Sequence, residues 1–157
     1  MKNNKLSIAI ALLGLLILTF SSCEKKEDNP PYVGTWVNIR TMDIFEVGLP
    51  LPLRITMILS KSTMEMTFAV EIDDQFEDLS SIKGNLTVTE EEFIFTPTSI
   101  GYVNNDDVME WVNKDEPGWE EELAESGWDE TNTTEYQLDG DTLTLPMDNT
   151  PLVFTRQ

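Results

Sequence analysis

Residues 55–72, ITMILSKSTMEMTFAVEI, decide the fold, because two apolar runs there are separated by only the short polar segment 60–62. In the second run, apolar and polar side chains alternate with a period of two. One face of that run carries Met64, Met66, Phe68, Val70 and Ile72. Such alternation is typical of a half-buried β-strand, since successive side chains of a strand point to opposite faces. The stretch therefore predicts an antiparallel hairpin with one buried face.

The same pattern recurs towards the C-terminus. Two more pairs of short apolar runs flank turn segments: 86–88 with 93–95 around 90–92, and 136–138 with 143–145 around 139–141. The second turn contains Asp139-Gly140, a strong hairpin signal, because glycine adopts a positive φ without strain. A last apolar run covers 152–156. Eight or nine strands joined in this way form a meander, and a meander loses its open edges by closing. We therefore predict an all-β fold, an antiparallel up-and-down β-barrel of about eight strands over residues 32–157.

The N-terminal segment has a different character. Lys2 and Lys5 precede an apolar run over 6–20, and two serines then lead to Cys23, the only cysteine. This layout is typical of a secretory signal peptide over 1–22, since the apolar run is shorter than the roughly 20 residues of a membrane-spanning helix. The small residues before Cys23 resemble a bacterial lipobox, in which the thiol is acylated and the peptide is cut before it. The resemblance implies lipidation of Cys23. The alternative is a free or buried cysteine after an uncleaved anchor.

Residues 23–31 are predicted to be a flexible tether. After Cys23 the sequence EKKEDNPP is polar and ends in two prolines, a composition that does not build a core. Lysine followed by acidic residues soon after the cysteine resembles the export signal of surface lipoproteins in one lineage of Gram-negative anaerobes. The resemblance implies a lipid-anchored protein of the outer membrane that faces the cell exterior. The periplasmic face is the alternative.

Composition excludes several classes of function. Removal of residues 1–22 takes away two lysines and no acid, which leaves 8 basic and 29 acidic side chains and a formal charge of −21. A protein so acidic has no basic footprint for nucleic acid, and it is not attracted to anionic lipid headgroups. The chain has no histidine, so imidazole catalysis and the usual zinc ligands are absent. We expect no catalytic residue, metal site or cofactor. A hydrolase with two carboxylates is the weakest alternative.

The start of the folded part carries a family resemblance. Tyr32-Val33-Gly34-Thr35-Trp36 opens the first predicted strand, and Gly-x-Trp at that place resembles the lipocalin signature. The Asp-Gly hairpin followed by Phe154-Thr155-Arg156 is similar to small lipocalin-like domains of bacterial lipoproteins. The resemblance implies that Trp36 plugs the closed end of a barrel and that Arg156 lies across it. Gly34, Trp36 and Arg156 would then be structural residues of barrel closure.

One insertion, residues 104–132, interrupts the strand pattern. Residues 117–126 within it predict a short helix, with Asp115 as its N-cap, acidic side chains in its first turn and Gly127 at its end. The insertion also carries three of the four tryptophans, Trp111, Trp119 and Trp128. Long insertions in compact domains are often lids or binding loops. The alternative is a structural plug whose tryptophans point inward.

Two functional hypotheses follow. The first is that the barrel binds a small apolar or amphipathic ligand beneath the insertion. Its predicted ligand-binding residues are Met57, Met64, Met66, Phe68, Phe95, Trp111, Trp119 and Trp128. The second is a filled barrel, which would serve as an interaction or accessory module that binds protein or glycan at the cell surface through exposed tryptophans.

Overall fold

The computed structural model describes residues 29–43, 50–146 and 150–157. The predicted signal peptide, Cys23 and most of the tether lie outside the described residues. The described chain forms ten strands and one helix: β1 (Gly34–Met42), β2 (Leu51–Leu59), β3 (Thr63–Ile72), β4 (Gln75–Val88), β5 (Glu92–Val103), β6 (Met109–Asn113), α1 (Trp119–Ser126), β7 (Asn132–Glu135), β8 (Gln137–Asp139), β9 (Thr142–Leu145) and β10 (Leu152–Arg156). The prediction of an antiparallel, mainly β fold with one helix is confirmed.

The strands form one antiparallel sheet in the order β6-β5-β4-β3-β2-β1-β10-β9-β8. β7 lies off this path and pairs with β5. Only Tyr136 separates β7 from β8, so one extended segment, 132–139, pairs with β5 through its first half and with β9 through its second half. The hydrogen-bonded strand order nevertheless ends at β6 and β8 and does not form a ring.

Local turn chemistry explains the hairpins. Between β2 and β3, the Ser60 hydroxyl oxygen accepts a hydrogen bond from the Thr63 backbone N–H at 2.9 Å. Between β8 and β9, Gly140 adopts a φ of +57°, and Leu138 pairs with Leu143. The hairpins predicted from residues 55–72, 86–95 and 136–145 are all confirmed.

The predicted face of β3 is correct except at its end. Met64, Met66 and Val70 are buried and Phe68 is half-buried, but Ile72 is 42% exposed. Ile72 is the last residue of β3, directly before the turn at Asp73, so little of the sheet covers its side chain. Placing Ile72 on the buried face was therefore wrong.

The core lies on one face of the sheet. β1 to β5, β9, β10 and α1 all contribute to one cluster of buried apolar side chains. Its fully buried members include Trp36, Met57, Leu143 and Phe154. Since strands from both halves of the path meet in the same cluster, the sheet curves around a single core.

The insertion differs from its prediction in two ways. Residues 109–113 form β6, which pairs with β5, so this part of the insertion continues the sheet. The helix begins after Gly118, which has a φ of +94°, and no side chain caps it. Asp115 is therefore not the N-cap; its φ of +73° places it in the turn before the helix. Gly127 ends α1 as predicted, with a φ of +74°.

Candidate functional site

One end of the core is closed around Trp36. Its indole is fully buried, and the indole N–H donates a hydrogen bond to the Tyr32 carbonyl at 2.8 Å. The guanidinium carbon of Arg156 lies 4.5 Å from the centre of the Trp36 ring. The Arg156 Nη1 and Nη2 groups donate hydrogen bonds to the carbonyls of Val33 and Pro31. Arg156 thus covers Trp36 and holds the chain that leads into β1.

Gly34 has a conformational reason to be glycine. Its φ is +152°, a region that residues with a Cβ rarely adopt. A Cβ placed there would lie 3.5 Å from Arg156 Nη1, an ordinary contact distance. Backbone conformation rather than space therefore requires glycine at this position of the Gly-x-Trp motif.

Aromatic rings fill the space next to Trp36. Phe93 and Tyr136 are stacked, with ring centres 4.1 Å apart and an angle of 8° between the planes. Tyr32 packs edge-on against Phe93 at 6.0 Å. Side chains therefore fill the space directly around these rings.

Beside these rings lies a cavity of about 390 Å³, called here the inner cavity, and Phe93 forms part of its wall. Most of its wall is apolar and includes Ile55, Met64, Met66, Phe68, Phe95 and Leu152. Polar wall residues come from β7, among them Thr134, and from β1, which contributes Arg40. The volume lies within the range of roughly 300–1,000 Å³ that is usual for small-molecule sites. The walls of such sites are likewise mostly apolar.

Trp128 covers part of the inner cavity. It follows Gly127 at the end of α1, is half-buried, and packs edge-on against Phe95 with ring centres 5.4 Å apart. Trp128 and Phe68 also border a second hollow of about 590 Å³ between α1 and the strands β4 and β5. That hollow is larger, but Glu122 and Glu125 line it. We regard the inner cavity as the ligand site, because its wall is more apolar.

The predicted ligand-binding residues fall into three groups: those that line the inner cavity, those buried in the core, and Trp111 on the outer surface. Those that line the inner cavity are Met64, Met66, Phe68, Phe95 and Trp128. Met57 and Trp119 are buried in the core and do not line that cavity. Trp119 packs there with Leu123 from the same face of α1, so this face of the helix points into the core.

Trp111 lies away from the inner cavity. It pairs with Gly101 across β5 and β6, and a Cβ on Gly101 would come within 2.9 Å of the Trp111 ring. Lys83 Nζ lies 4.1 Å from the centre of that ring and 3.3 Å from a Glu65 carboxylate oxygen. Lys83 and Glu65 are both substantially exposed, so Trp111 belongs to a polar outer surface.

Sequence reasoning missed nine residues of the inner cavity: Arg40, Ile55, Phe93, Gly127, Asn132, Thr133, Thr134, Leu145 and Leu152. The most informative of them is Arg40. It lines the wall from β1, where it pairs with the buried Leu53. Its Nε atom is buried and has no hydrogen-bond partner among the described residues. The signal was present in the sequence: counting in twos from Trp36 leads through Asn38 to Arg40 on the same face of the strand.

Two further findings concern only the part of the chain that the structure describes. There, no group of three or more acidic, histidine or cysteine side chains could hold a metal ion. Within the same residues, no helix is long and apolar enough to cross a membrane.

No protein-family model matches the chain, and no curated protein matches it significantly in sequence. The lipocalin resemblance therefore depends on the motifs of this chain alone.

Proposed function

We propose that this protein is a lipid-anchored lipoprotein of the outer membrane whose lipocalin-like barrel binds a small apolar or amphipathic ligand. The role is one of binding, without catalysis. The observation that carries the proposal is the inner cavity of about 390 Å³, with its apolar wall and Trp128 over it. Methionine side chains suit such a wall, because they adapt to varied apolar shapes.

Strand pairing supports closure into a barrel. The segment 132–139 is hydrogen-bonded to β5 on one side and to β9 on the other. Counted as one strand, it would complete a ring of eight with β1 to β5, β9 and β10, and β6 would lie outside the ring. An eight-stranded barrel is wide enough to hold one small ligand or to be filled by side chains. Here side chains would fill the barrel around Trp36, and the inner cavity would extend from Phe93 to Arg40.

The path of the tether supports a position in which the cavity faces away from the membrane. Arg156 holds the carbonyls of Pro31 and Val33, and the Val33 N–H donates to the Pro30 carbonyl at 2.9 Å. The tether from Cys23 therefore joins the domain at the closed end. Arg40 lines the inner cavity six residues along β1 from Gly34, so a ligand that entered past Arg40 would come from the external medium. A surface charge of −21 in the mature chain would keep the domain away from an anionic cell surface.

The binding proposal is tested by filling the inner cavity. Thr134 lines that cavity, whereas Thr155 on β10 is exposed. Thr134→Phe should weaken the binding of a neutral apolar fluorescent probe about tenfold or more, because the added ring competes for the space; Thr155→Phe, which adds the same ring outside, should leave binding unchanged. Equal binding by wild type and both variants would mean that the probe does not occupy the inner cavity.

Trp111 supports the second candidate, an interaction module for protein or glycan. Its ring lies on the outer surface beside Lys83 and Glu65, a combination of flat ring and charge that suits polar partners. If this candidate is right, Trp111→Ala will abolish binding to the partner on a cell surface, and Thr134→Phe will leave that binding intact.

A further inference from the structure

Arg40 is unusual among the three arginines of the sequence. Arg54 stacks on Phe76 at 4.5 Å, and Arg156 stacks on Trp36 and donates to backbone carbonyls. All three arginines have a buried Nε without a hydrogen-bond partner, but among the described residues only Arg40 has neither an aromatic ring nor a carbonyl in contact with the rest of its guanidinium. Arg40, the arginine in the wall of the inner cavity, is thus the one whose guanidinium has no ring or carbonyl in contact among the described residues.

An unmatched guanidinium in an apolar wall is costly. Burying a charged group away from water is unfavourable unless a counter-charge or hydrogen bonds replace the lost hydration. Arg40 is half-buried, and most of the cavity wall is apolar and supplies neither; the polar wall residues Asn132, Thr133 and Thr134 are uncharged, and none of them bonds to the Arg40 Nε. An anionic group bound in the cavity would supply both, because guanidinium and carboxylate match as a two-pronged hydrogen-bonded pair.

We propose that the ligand of the inner cavity is an apolar molecule with a single carboxylate, and that Arg40 binds this carboxylate. The inference rests on the proposed ligand-binding function and specifies its ligand class. The apolar body of the ligand would lie against Met64, Met66 and Phe95, beneath Trp128. Arg40 would then select against neutral and cationic molecules of the same shape.

The test compares two ligands that differ only in charge. Decanoate and decanamide have the same chain and nearly the same shape. Their affinities for the full chain in zwitterionic lipid nanodiscs can be measured by isothermal titration calorimetry, with empty nanodiscs as the blank. We expect wild type to prefer decanoate about tenfold or more, the usual size of a hydrogen bond to a charged group. Arg40→Met should remove the preference and keep decanamide binding.

Arg54→Met is the matched control, because it makes the same exchange and the same change of net charge outside the cavity. It should keep the wild-type preference for decanoate. If Arg40→Met does not fold, Arg40→Lys takes its place; it keeps the charge but loses the two-pronged geometry, so the preference should shrink severalfold.

The outcomes separate the two proposals. Equal affinity of wild type for both ligands would overturn the role of Arg40 and leave the ligand-binding function standing. The same would follow if Arg54→Met removed the preference as fully as the Arg40 variant, because the effect would then be one of net charge. A wild type that binds neither ligand would overturn the proposed function, and the carboxylate inference with it.

Discussion

Replacing Arg156 by methionine should destabilise the closed end of the domain. Methionine keeps a long apolar stem but loses the charge and the donors. The contact with Trp36 at 4.5 Å accounts for about 0.5–2 kcal/mol. Each hydrogen bond from the guanidinium to the carbonyls of Val33 and Pro31 adds about 1.5–3 kcal/mol when it is well shielded.

The expected loss lies near the low end of these ranges. The Arg156 side chain is 30% exposed, so water competes for its donors, and Asp141, its ion-pair partner at 3.4 Å, is 81% exposed. An ion pair that exposed contributes between about 0 and 1 kcal/mol. We therefore expect Arg156→Met to lower the free energy of unfolding by about 3 kcal/mol.

Arg54→Met provides the control for this prediction. Arg54 lies at the same distance of 4.5 Å from an aromatic ring, that of Phe76, but donates no hydrogen bond within the described chain. Its replacement should cost only about 0.5–1 kcal/mol. Urea unfolding followed by tryptophan fluorescence measures both losses, provided that the m-value is unchanged. If the two variants lost the same free energy, the hydrogen bonds of Arg156 would not stabilise the closed end, and this reasoning would be refuted.

Three further predictions concern other parts of the chain. Gly34→Ala should lower the free energy of unfolding by about 1–3 kcal/mol because of its φ of +152°, and an unchanged urea midpoint would contradict the backbone argument. Leu123→Ala should lower the free energy of unfolding by about 2–5 kcal/mol in the same assay, because Leu123 is buried in the core. Glu121 is exposed, so Glu121→Ala should lower it by less than about 0.5 kcal/mol. Similar losses for the two variants would mean that packing of α1 on the core does not stabilise the domain. Wild type should incorporate a labelled fatty acid during growth and Cys23→Ser should not; label in the variant would place the lipid elsewhere.

The hairpins were predictable from sequence because their signals are local. Alternation over 63–72 and the Asp-Gly turn at 139–140 specify strand and turn within a few residues. The length of β4 and the second half of β5 were not predicted. Buried or half-buried positions there are occupied by Ser80, Gly84 and Pro97, and such residues do not produce a clear apolar alternation.

Long-range pairing could not be predicted. Residues 132–139 look like one polar strand, and nothing local indicates that β5 and β9 pair with its two halves.

The predicted N-cap of α1 was wrong because the helix begins later than the sequence indicates. A turn at 113–116, in which the Glu116 N–H donates to the Asn113 carbonyl at 3.0 Å, precedes it. The Lys114 N–H donates to the Thr98 carbonyl of β5 at 2.8 Å, so pairing with β5 continues up to the residue before Asp115.

The candidate site was predictable only in part of its apolar wall, which also contains Ile55, Phe93, Leu145 and Leu152. Met64, Met66, Phe68 and Phe95 follow from strand periodicity, because each lies on the face that a strand must bury. Arg40 was overlooked because a charged residue is ordinarily assigned to the solvent side of a strand. Its position four residues after Trp36 nevertheless places it on the same face of β1 as Trp36.

Native mass spectrometry of the full chain from its own host tests the central claim most directly. The account predicts a non-covalent mass retained by wild type and by Thr155→Phe, and lost from Thr134→Phe, whose added ring occupies the inner cavity. The bare protein mass for all three, together with apolar probe binding that Thr134→Phe does not weaken, would contradict a ligand in this cavity.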